Sequence, residues 1–274
     1  MKEWGAMQQI TAGIDAGGSL IKIVYQENGR MHFKKFSINK LDSAISWLKM
    51  VAPSLKVSIT GGKAHAIQNK FFPDSAIIPE FQSTCEGARF LLAKENKSIE
   101  ESYLVVNIGT GTSWHLVKGD QAERILGSGM GGGTFTGLGS LLTKVKDYQL
   151  LTVLAKEGNK GNVDMLVNDI YETAYSPIQG DLTAANFAKG KRQTHMEADR
   201  LASLSNMIAE TIVLLTSQAA VIHQVKRVVI IGAAIIGNPS LKNGLETYLN
   251  MLGLSTVFLE KGEYCGAIGA YLSV

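Results

Sequence analysis

Residues 13–22 read GIDAGGSLIK, and this stretch places one aspartate, Asp15, after an apolar run and just before two glycines. Apolar residues lead into the glycines and follow them again, which predicts a β-hairpin whose turn is DAGGS. A second glycine turn, ENGR at 27–30, separates the next two extended runs. We therefore predict three strands between residues 10 and 37, connected as an antiparallel meander.

The pattern changes after the meander. Helical and extended segments alternate from residue 41 to residue 95, and a second set of glycine-linked strands begins at residue 103, as in a duplicated architecture. Helical segments are predicted across 135–224. The expected fold class is α/β, with mixed sheets flanked by helices. We predict a boundary near residue 102, which gives domains of 1–102 and 103–274.

Length and composition describe an ordinary globular protein. The chain has 274 residues, 45% of them apolar, and can bury a substantial core. Its net charge of +3 is scattered along the sequence, so we expect no nucleic-acid partner. The longest apolar stretches are about ten residues, short of the roughly 20 that span a bilayer, so we expect no membrane association. Two cysteines, Cys85 and Cys265, without metal-ligand spacing, fit a reducing compartment, by default the cytoplasm.

A stripe of apolar residues between positions 195 and 224 recurs at intervals of three or four and predicts one long helix. Its members are Leu201, Leu204, Ile208, Ile212, Leu215, Ala219 and Ile222. A core helix is the simpler interpretation, and a subunit interface is the alternative. The sequence leaves both open. Four histidines have no common spacing suited to a metal, and we expect them to be structural or solvated; they are His65, His115, His195 and His223.

The familiar glycine motifs of nucleotide-binding loops are absent or out of place. The pairs Gly62-Lys63 and Gly190-Lys191 are not followed by the Ser or Thr that a P-loop needs. The string GSGMGG at 127–132 formally matches a dinucleotide fingerprint, but it follows a hairpin instead of opening a βαβ unit. A nucleotide site in this chain therefore needs another cradle.

Two glycine turns share one design, in which a strand runs into a turn that carries hydroxyl or carboxyl side chains. They lie at 15–19 and 109–113. Glycine lets backbone N–H groups approach phosphate oxygens there. Asp15 would repel a phosphate unless a cation lay between them, and Mg²⁺ would be that cation. Lys22 is spaced to reach back to the turn. The alternative is a plain hairpin, with Asp15 as a turn residue and Lys22 in solvent.

Five motifs together resemble those of the acetate and sugar kinase, heat-shock ATPase and actin superfamily. They are DAGGSLIK, NIGTGTS, GSGMGGGTFTGLG, VVIIGAAIIGN and CGAIGA, in that order. The resemblance implies two ribonuclease-H-like domains that clasp ATP in a cleft between them. Within the superfamily the chain most resembles bacterial type II pantothenate kinases from residue 12 onward, through GIDAGGSLIK, VNIGTGTS, GMGGGTFTGLGSLL, GDLTAANF and GAIGA. That implies a homodimer that phosphorylates pantothenate with ATP and Mg²⁺, the first step toward coenzyme A.

The resemblance also implies roles for single residues. Asp15 would hold Mg²⁺, directly or through water, and Glu80 would be the catalytic base for the pantothenate hydroxyl. The expected ATP-binding residues are Asp15, Ala16, Gly17, Gly18, Ser19, Leu20, Ile21, Lys22, Thr110, Gly132, Gly133, Thr134, Phe135, Thr136, Tyr148 and Ala233. The expected substrate-binding residues are Thr112, Arg124, Thr183 and Ala184. Arg124 would bind the pantothenate carboxylate through two hydrogen bonds, and segment 181–186 would lie near the pocket of the neighbouring subunit.

Other interpretations of these residues remain. Without the resemblance, Glu80 is an acid at the start of a helix, where the helix dipole favours its anion, and Arg124 is a strand-edge arginine. Ala233 stands where the family often has a serine. A sugar kinase for N-acetylglucosamine or glucose, and a non-catalytic nucleotide-binding regulator, are the rival functions. Glu80 together with Arg124 favours an acidic substrate, and retention of Asp15, Lys22 and Glu80 argues against a silent regulator.

Overall fold

The structure, a computed structural model, describes residues 10–52, 54–97, 101–171, 175–191 and 195–274. Its strands form two five-stranded sheets and one short two-stranded sheet. The strands are β1 (Ile10–Ala16), β2 (Leu20–Glu27), β3 (Arg30–Ser37), β4 (Leu55–Thr60), β5 (Ala76–Ile77), β6 (Ser102–Ile108), β7 (Thr112–Lys118), β8 (Gln121–Ser128), β9 (Met165–Leu166), β10 (Thr183–Ala185), β11 (Arg227–Ile231) and β12 (Ser255–Phe258). The helices are α1 (Leu41–Val51), α2 (Ala64–Phe71), α3 (Glu80–Lys94), α4 (Gly132–Thr143), α5 (Tyr148–Glu157), α6 (Glu197–His223), α7 (Pro239–Met251) and α8 (Cys265–Leu272).

The first sheet has the strand order β3-β2-β1-β4-β5. Its central strand, β1, pairs antiparallel with β2 and parallel with β4. The hairpin and meander that GIDAGGSLIK and ENGR predict are confirmed, and Asp15 lies directly opposite Lys22 across the hairpin. Because side chains of directly opposed residues lie on the same face of a sheet, both groups point to one side of it.

The second sheet repeats this plan. Its order is β12-β11-β6-β7-β8, and β6 pairs antiparallel with β7 and parallel with β11, as β1 does with β2 and β4. A three-stranded meander followed by two parallel strands therefore occurs twice. The predicted fold class, α/β with two mixed sheets flanked by helices, is confirmed, whereas the domain boundary at residue 102 stays a prediction.

Strands interrupt the region that we predicted to be helical across 135–224. The short strands β9 and β10 pair antiparallel, and single-turn 3₁₀ segments surround them. Helix α6 begins only at Glu197. The prediction is wrong here because strands of two and three residues carry no readable period of two.

Helix α6 is a core helix of the second half. Of its predicted apolar stripe, Leu201, Leu204 and Ile208 are fully buried, whereas Ile222 is 71% exposed. By length and composition it is the one helix among the described residues that could cross a membrane, but half of the apolar window is buried inside the protein. Its buried face belongs to the same apolar cluster as strands β6 and β11.

Helix α8 lies against the first sheet although it follows the second along the chain. It packs on β1 and crosses α3 at very short distance. A Cβ on Gly87 of α3 would lie 1.9 Å from the Cys265 carbonyl oxygen, and one on Gly269 would lie 1.9 Å from the Ser83 carbonyl oxygen. Only glycine allows this approach. The close crossing fixes α3 relative to α8, and therefore fixes the position at which α3 begins.

Candidate active site

A cleft of about 1490 Å³ opens between the two glycine turns. In the first turn, the Gly17 amide donates to the Leu20 carbonyl at 3.0 Å, and in the second, the Gly109 amide donates to the Gly111 carbonyl at 2.8 Å. The turns touch, because the Ser19 and Thr110 hydroxyl oxygens lie 3.1 Å apart. The two repeats of the fold thus present equivalent turns to one cavity.

Fifteen of the twenty-one residues that the sequence predicts as site residues line this cleft. They are Asp15, Gly17, Gly18, Ser19, Leu20, Lys22, Glu80, Thr110, Thr112, Arg124, Gly132, Gly133, Thr136, Tyr148 and Ala233. Of the other six, three are apolar and buried in the cores, namely Ala16, Ile21 and Phe135. Thr134 donates its hydroxyl to the Gly129 carbonyl at 2.8 Å. Thr183 and Ala184 lie on β10, outside the cleft.

Asp15 occupies a close-fitting space at the floor of the cleft. Its carboxylate accepts a hydrogen bond from Lys22 Nζ at 3.1 Å, and the Asp15 side chain is 13% exposed. A Cβ on Gly61 or on Gly266 would lie 2.9 Å from the Asp15 carboxyl group. The two glycines therefore pack closely against the carboxyl group, where a side chain at either position would not fit. No cluster of three or more His, Cys, Asp or Glu side chains suited to a metal occurs within the described residues.

Lys35 and Glu263 form a second ion pair at the cleft that the sequence analysis missed. Lys35 lies opposite Lys22 on the neighbouring strand, and its Nζ is 2.7 Å from Glu263 Oε2. Glu263 belongs to the 3₁₀ turn Gly262–Tyr264, which precedes α8. The three residues Asp15, Lys22 and Lys35 thus form one row across the first sheet. Strand register could have revealed this row, because all three share one face.

The second turn is joined to the start of α4. The amides of Gly132 and Gly133 donate to the carbonyls of Gly109 and Thr110 at 2.9 and 2.8 Å. A Cβ on Gly133 would lie 2.8 Å from the Thr110 side chain, so close packing requires glycine there. The GSGMGG string at 127–132 thus comprises the end of β8, a bend and the first residue of α4.

Another part of the cleft is lined by residues of α5 and of the segment after β11. Tyr148 and Ala233 line it, and the Tyr148 hydroxyl donates to the carbonyl of Ala234 and lies 3.3 Å from Asn238 Nδ2. Burial raises the pKa of Tyr148 above 10.0, so the phenol stays neutral. Its ring packs edge-on against Phe135 with ring centroids 5.8 Å apart. A flat aromatic wall of this kind suits a ring system better than a charged group.

Glu80 is the first residue of α3 and faces the same cleft. The sequence prediction that the helix terminus favours its anion is not the dominant effect. Desolvation raises the pKa of Glu80 above 4.5 and the Asp15 carboxylate raises it further, while Lys22 and Arg124 oppose both. A carboxylate with a raised pKa is a better proton acceptor. The structure thus places an acid, its electrostatic partners and both glycine turns in one cavity.

Arg124 lies on β8 across the cleft from the start of α3. Its guanidinium carbon is 5.1 Å from the centre of the Phe81 ring. Thr112, also predicted to bind substrate, lines the cleft but donates its hydroxyl to the Met130 carbonyl at 2.7 Å. Sequence reasoning missed Phe81, although its position directly after Glu80 is the signal that could have found it.

Thr183 belongs to a polar cluster on the surface of α6. Its hydroxyl accepts from Lys160 Nζ at 3.2 Å and from Asn206 Nδ2 at 3.0 Å. Lys160 also donates to the Tyr248 hydroxyl at 2.7 Å. Burial raises the pKa of Tyr248, and the negative charges of Glu210 and Asp181 contribute. This chain therefore does not bring Thr183 to its own cleft, and the sequence analysis did not identify Lys160 or Tyr248.

Comparison with known proteins is consistent with this geometry. The family model described as Fumble matches residues 11–273. The chain belongs to the Fumble family. The type II pantothenate kinase of Oceanobacillus iheyensis is 41% identical over 262 residues, which cover 95% of this chain and 98% of that protein. The type II pantothenate kinase of Staphylococcus haemolyticus is 37% identical over 94% of this chain and 97% of its own length.

Solved structures outside the Fumble family share the fold. Component A of the (R)-2-hydroxyglutaryl-CoA dehydratase of Acidaminococcus fermentans superposes with a TM-score of 0.66 at 17% identity, over 97% of this chain and 98% of that one. A ROK family glucokinase from Streptomyces griseus, in complex with glucose and AMPPNP, gives a TM-score of 0.61 at 10% identity, over 97% of this chain and 99% of that one. At these identities the likeness concerns the fold alone.

Proposed function

We propose that this Fumble-family chain transfers the γ-phosphoryl group of ATP to the hydroxyl of pantothenate, the first step of coenzyme A biosynthesis. The observation that carries the proposal is the shared cleft of Glu80 and Arg124 with both glycine turns. Relatives at 41% and 37% identity that are named type II pantothenate kinases support it. The proposed substrate is an acid with a free hydroxyl, and the cleft offers a cation for one group and a carboxylate for the other.

The nucleotide would lie along the two turns. Phosphate oxygens would face the 15–19 and 109–113 turns, where glycines leave room for close approach to the backbone. Lys22 would neutralise phosphate charge at the end of the triphosphate. The adenosine would lie between Tyr148 and Ala233, beyond the start of α4. Loss of a serine hydroxyl at Ala233 costs about 0.5–1.5 kcal/mol at most, so ATP binding survives it.

Asp15 is the residue that would hold Mg²⁺. The donor set fits, because Mg²⁺ commonly takes one or two carboxylates together with phosphate oxygens and water. Gly61 and Gly266 place no side chain against the Asp15 carboxyl group. When bound, the ion would neutralise charge on the phosphates. Lys22 is already paired with Asp15 at 3.1 Å. The Asp15 carboxylate would therefore interact with two cations, Lys22 and Mg²⁺.

Glu80 would orient the pantothenate hydroxyl and accept its proton. Phosphoryl transfer depends chiefly on positioning and on charge stabilisation, so the orienting role is the larger one. The carboxylate must be ionised to act. Since desolvation and Asp15 raise the pKa of Glu80, the acidic limb of the activity profile lies above 4.5. Activity is therefore lost as the pH falls through the pKa of Glu80 in the folded protein.

We further propose that the active species is a cytoplasmic homodimer. Thr183 and Ala184 lie outside their own cleft, on β10, which suits a contribution to the pocket of a partner subunit. The outer face of α6 also supports a subunit interface, because Leu214 and Val221 are 62% and 73% exposed. Two free, buried cysteines fit a reducing compartment.

Release of ADP by the purified protein with ATP and Mg²⁺ tests the function. Pantothenate, glucose and N-acetylglucosamine are supplied in parallel as acceptors. We expect turnover with pantothenate alone. Phosphorylation of a sugar without turnover of pantothenate would overturn the substrate assignment and favour a sugar kinase. Binding of ATP without any turnover would favour the non-catalytic regulator.

A further inference from the structure

Arg124 reaches the cleft through an irregularity of the second sheet. Trp114 of β7 lies opposite Leu126 of β8, but the next residue, His115, lies opposite Arg124 instead of Ile125. The extra residue Ile125 is a β-bulge, and bulges turn the following side chains to a new direction. In a regular ladder, Ile125 would hold the position opposite His115. The bulge therefore gives this position to a guanidinium.

The guanidinium of Arg124 lies close to a ring and to a glycine. The centroid of the Phe81 ring is 5.1 Å from Arg124 Cζ. A Cβ on Gly127 would lie only 1.9 Å from Arg124 Nη2. The φ angle of Gly127 is outside the left-handed region, so the backbone does not require glycine there. The missing side chain instead leaves the space that Arg124 occupies. The aromatic face attracts the cation, and the glycine admits it.

The Phe81 ring also packs against a second ring. Its centroid is 5.3 Å from that of the His115 ring, and the two planes are tilted by 47°. His115 is 1% exposed, and its Nε2 lies 2.9 Å from the Ser113 hydroxyl oxygen. Burial and the charge of Arg124 lower the pKa of His115 to about 4, so the support is neutral at physiological pH. A neutral ring does not repel the guanidinium above it.

We propose that Phe81 is a positioning residue that presents Arg124 to the carboxylate of the acceptor substrate at a fixed distance from Glu80. Because Phe81 directly follows Glu80 on α3, one helical turn carries both the base and the platform for the cation. The geometry makes the cleft selective for an acceptor with an anion at one end and a hydroxyl at the other. This inference rests on the proposed function and deepens it, since it assigns the acid specificity to a stack of His115, Phe81, Arg124 and Gly127.

Two variants each change one of the contacts of the Arg124 guanidinium. Phe81→Leu keeps an apolar side chain but removes the aromatic face. Gly127→Ala places a methyl group where Nη2 lies, and the flexible end of Arg124 can move away, so the fold is retained. Phe81→Tyr restores the aromatic face. Phe90→Leu makes the same exchange on the same helix at a partly buried residue that packs against the apolar cluster of Leu91 and Leu92, and serves as the matched control.

The test measures KM and kcat with pantothenate and with pantothenol, in which a primary alcohol replaces the carboxylate. We expect Phe81→Leu and Gly127→Ala to raise KM for pantothenate about 2- to 30-fold, the range that a lost cation–π contact allows, with kcat little changed. KM for pantothenol and for ATP should stay at the wild-type value. Phe81→Tyr and Phe90→Leu should behave like the wild type with both acceptors.

The outcomes separate this inference from the function on which it rests. An active wild-type enzyme whose variants show unchanged KM values, or equal increases for pantothenate and pantothenol, would overturn the positioning role and leave the function intact. A wild-type protein without turnover of pantothenate would overturn the function and the inference together. If Phe81→Leu does not fold, as judged by thermal melting, Gly127→Ala decides the question by the same ratio of KM values.

Discussion

The two sheets have the same strand order but differ in what lies between the third and fourth strands. In the first, β3 and β4 are joined through α1 and one 3₁₀ turn. In the second, the connection from β8 to β11 contains α4, α5, the β9–β10 pair and α6. The repeated part presents the two glycine turns. The long connection adds Tyr148, which lines the cleft, and the polar cluster around Thr183. The repeated strands and the long connection therefore carry different groups.

Charge is divided between the halves as well. Asp15, Lys22 and Glu80 all come from the first half, while the second contributes the hydroxyl of Thr110 and the guanidinium of Arg124. The residues predicted to act in catalysis therefore lie on the first sheet and α3, and Arg124, predicted to bind the substrate carboxylate, lies on the second sheet. Four predictions test this contrast, and they follow in order of decreasing effect.

Replacing the base should have the largest effect. We expect Glu80→Gln to lower kcat by about 10²- to 10⁴-fold while affinity for ATP stays close to that of the wild type, because the amide keeps the shape but accepts no proton. Glu86→Gln, on the same helix, is the control. Glu86 forms an ion pair with Arg89 away from the cleft and should be dispensable. Steady-state kinetics measures both, and a near-normal rate for Glu80→Gln would remove that residue from its role.

Forcing α3 and α8 apart should be the largest stability effect. Gly87→Ala places a methyl group 1.9 Å from the Cys265 carbonyl oxygen, where backbone has to move. We expect the free energy of unfolding to fall by about 3 kcal/mol or more, since overpacking of a tight core is poorly tolerated. Gly137→Ala is the contrast, because its Cβ meets no described atom within 4 Å and should stabilise α4 by about 0.5–1 kcal/mol. Urea denaturation compares them, and equal effects would contradict the close crossing.

A buried histidine distinguishes the second meander from the first, where Ile23 and Val24 of β2 are buried instead. The pKa of His115 is lowered from 6.5 to about 4. As the pH falls below 6.5, His115 therefore takes up a proton in the unfolded chain before it does so in the folded protein. The folded protein loses stability between pH 6.5 and about pH 4. Between pH 7 and pH 5 we expect a loss of about 2 kcal/mol.

His115→Leu isolates this contribution. Unfolding free energies of wild type and variant are measured across the same pH range, and their difference should shrink or reverse toward pH 5. Arg124 is the charged neighbour that shares in lowering this pKa, so Arg124→Gln should weaken the pH dependence in part. A parallel decline of wild type and His115→Leu would exclude His115 as the source.

The hydrogen bond between the two turns should give the smallest effect. Ser19 and Thr110 meet at 3.1 Å in an exposed position. We expect Ser19→Ala to lower the free energy of unfolding by about 0.5–1 kcal/mol, the low end for a neutral hydrogen bond. A double-mutant cycle with Thr110→Val measures the coupling directly. A coupling energy near zero would show that the turns are held together by their sheets alone.

The repeated framework could be predicted from the sequence because its signals are local. The turns DAGGS and ENGR specify the first meander, and the alternating segments predicted from residue 41 begin there with α1. The β9–β10 pair could not be predicted, since strands of two and three residues are defined only by their pairing with each other. The exposed end of α6 at Ile222 was also hidden, because a periodic stripe does not show where its covering partner stops.

The site divides in the same way. Motif residues such as Asp15, Lys22 and Thr110 were predictable because glycine turns mark their positions in the chain. The ion pair of Lys35 with Glu263, the stack on Phe81 and the contacts of Tyr248 join residues far apart in sequence. Their partners are determined by strand register, by a single bulge and by packing. The sign of the pKa shift at Glu80 was missed because desolvation depends on the whole cleft.

The position of α8 has a consequence for the order in which the protein is made. The helix that covers β1 and locks α3 is encoded after the entire second sheet. At a synthesis rate of 5–20 residues per second, β1 emerges from the ribosome roughly 10–50 s before α8 can dock on it. During that time the strand with Asp15 has an open face. The first half to be synthesised is therefore the last to be completed, because the helix that packs on β1 and α3 follows the second sheet in the chain.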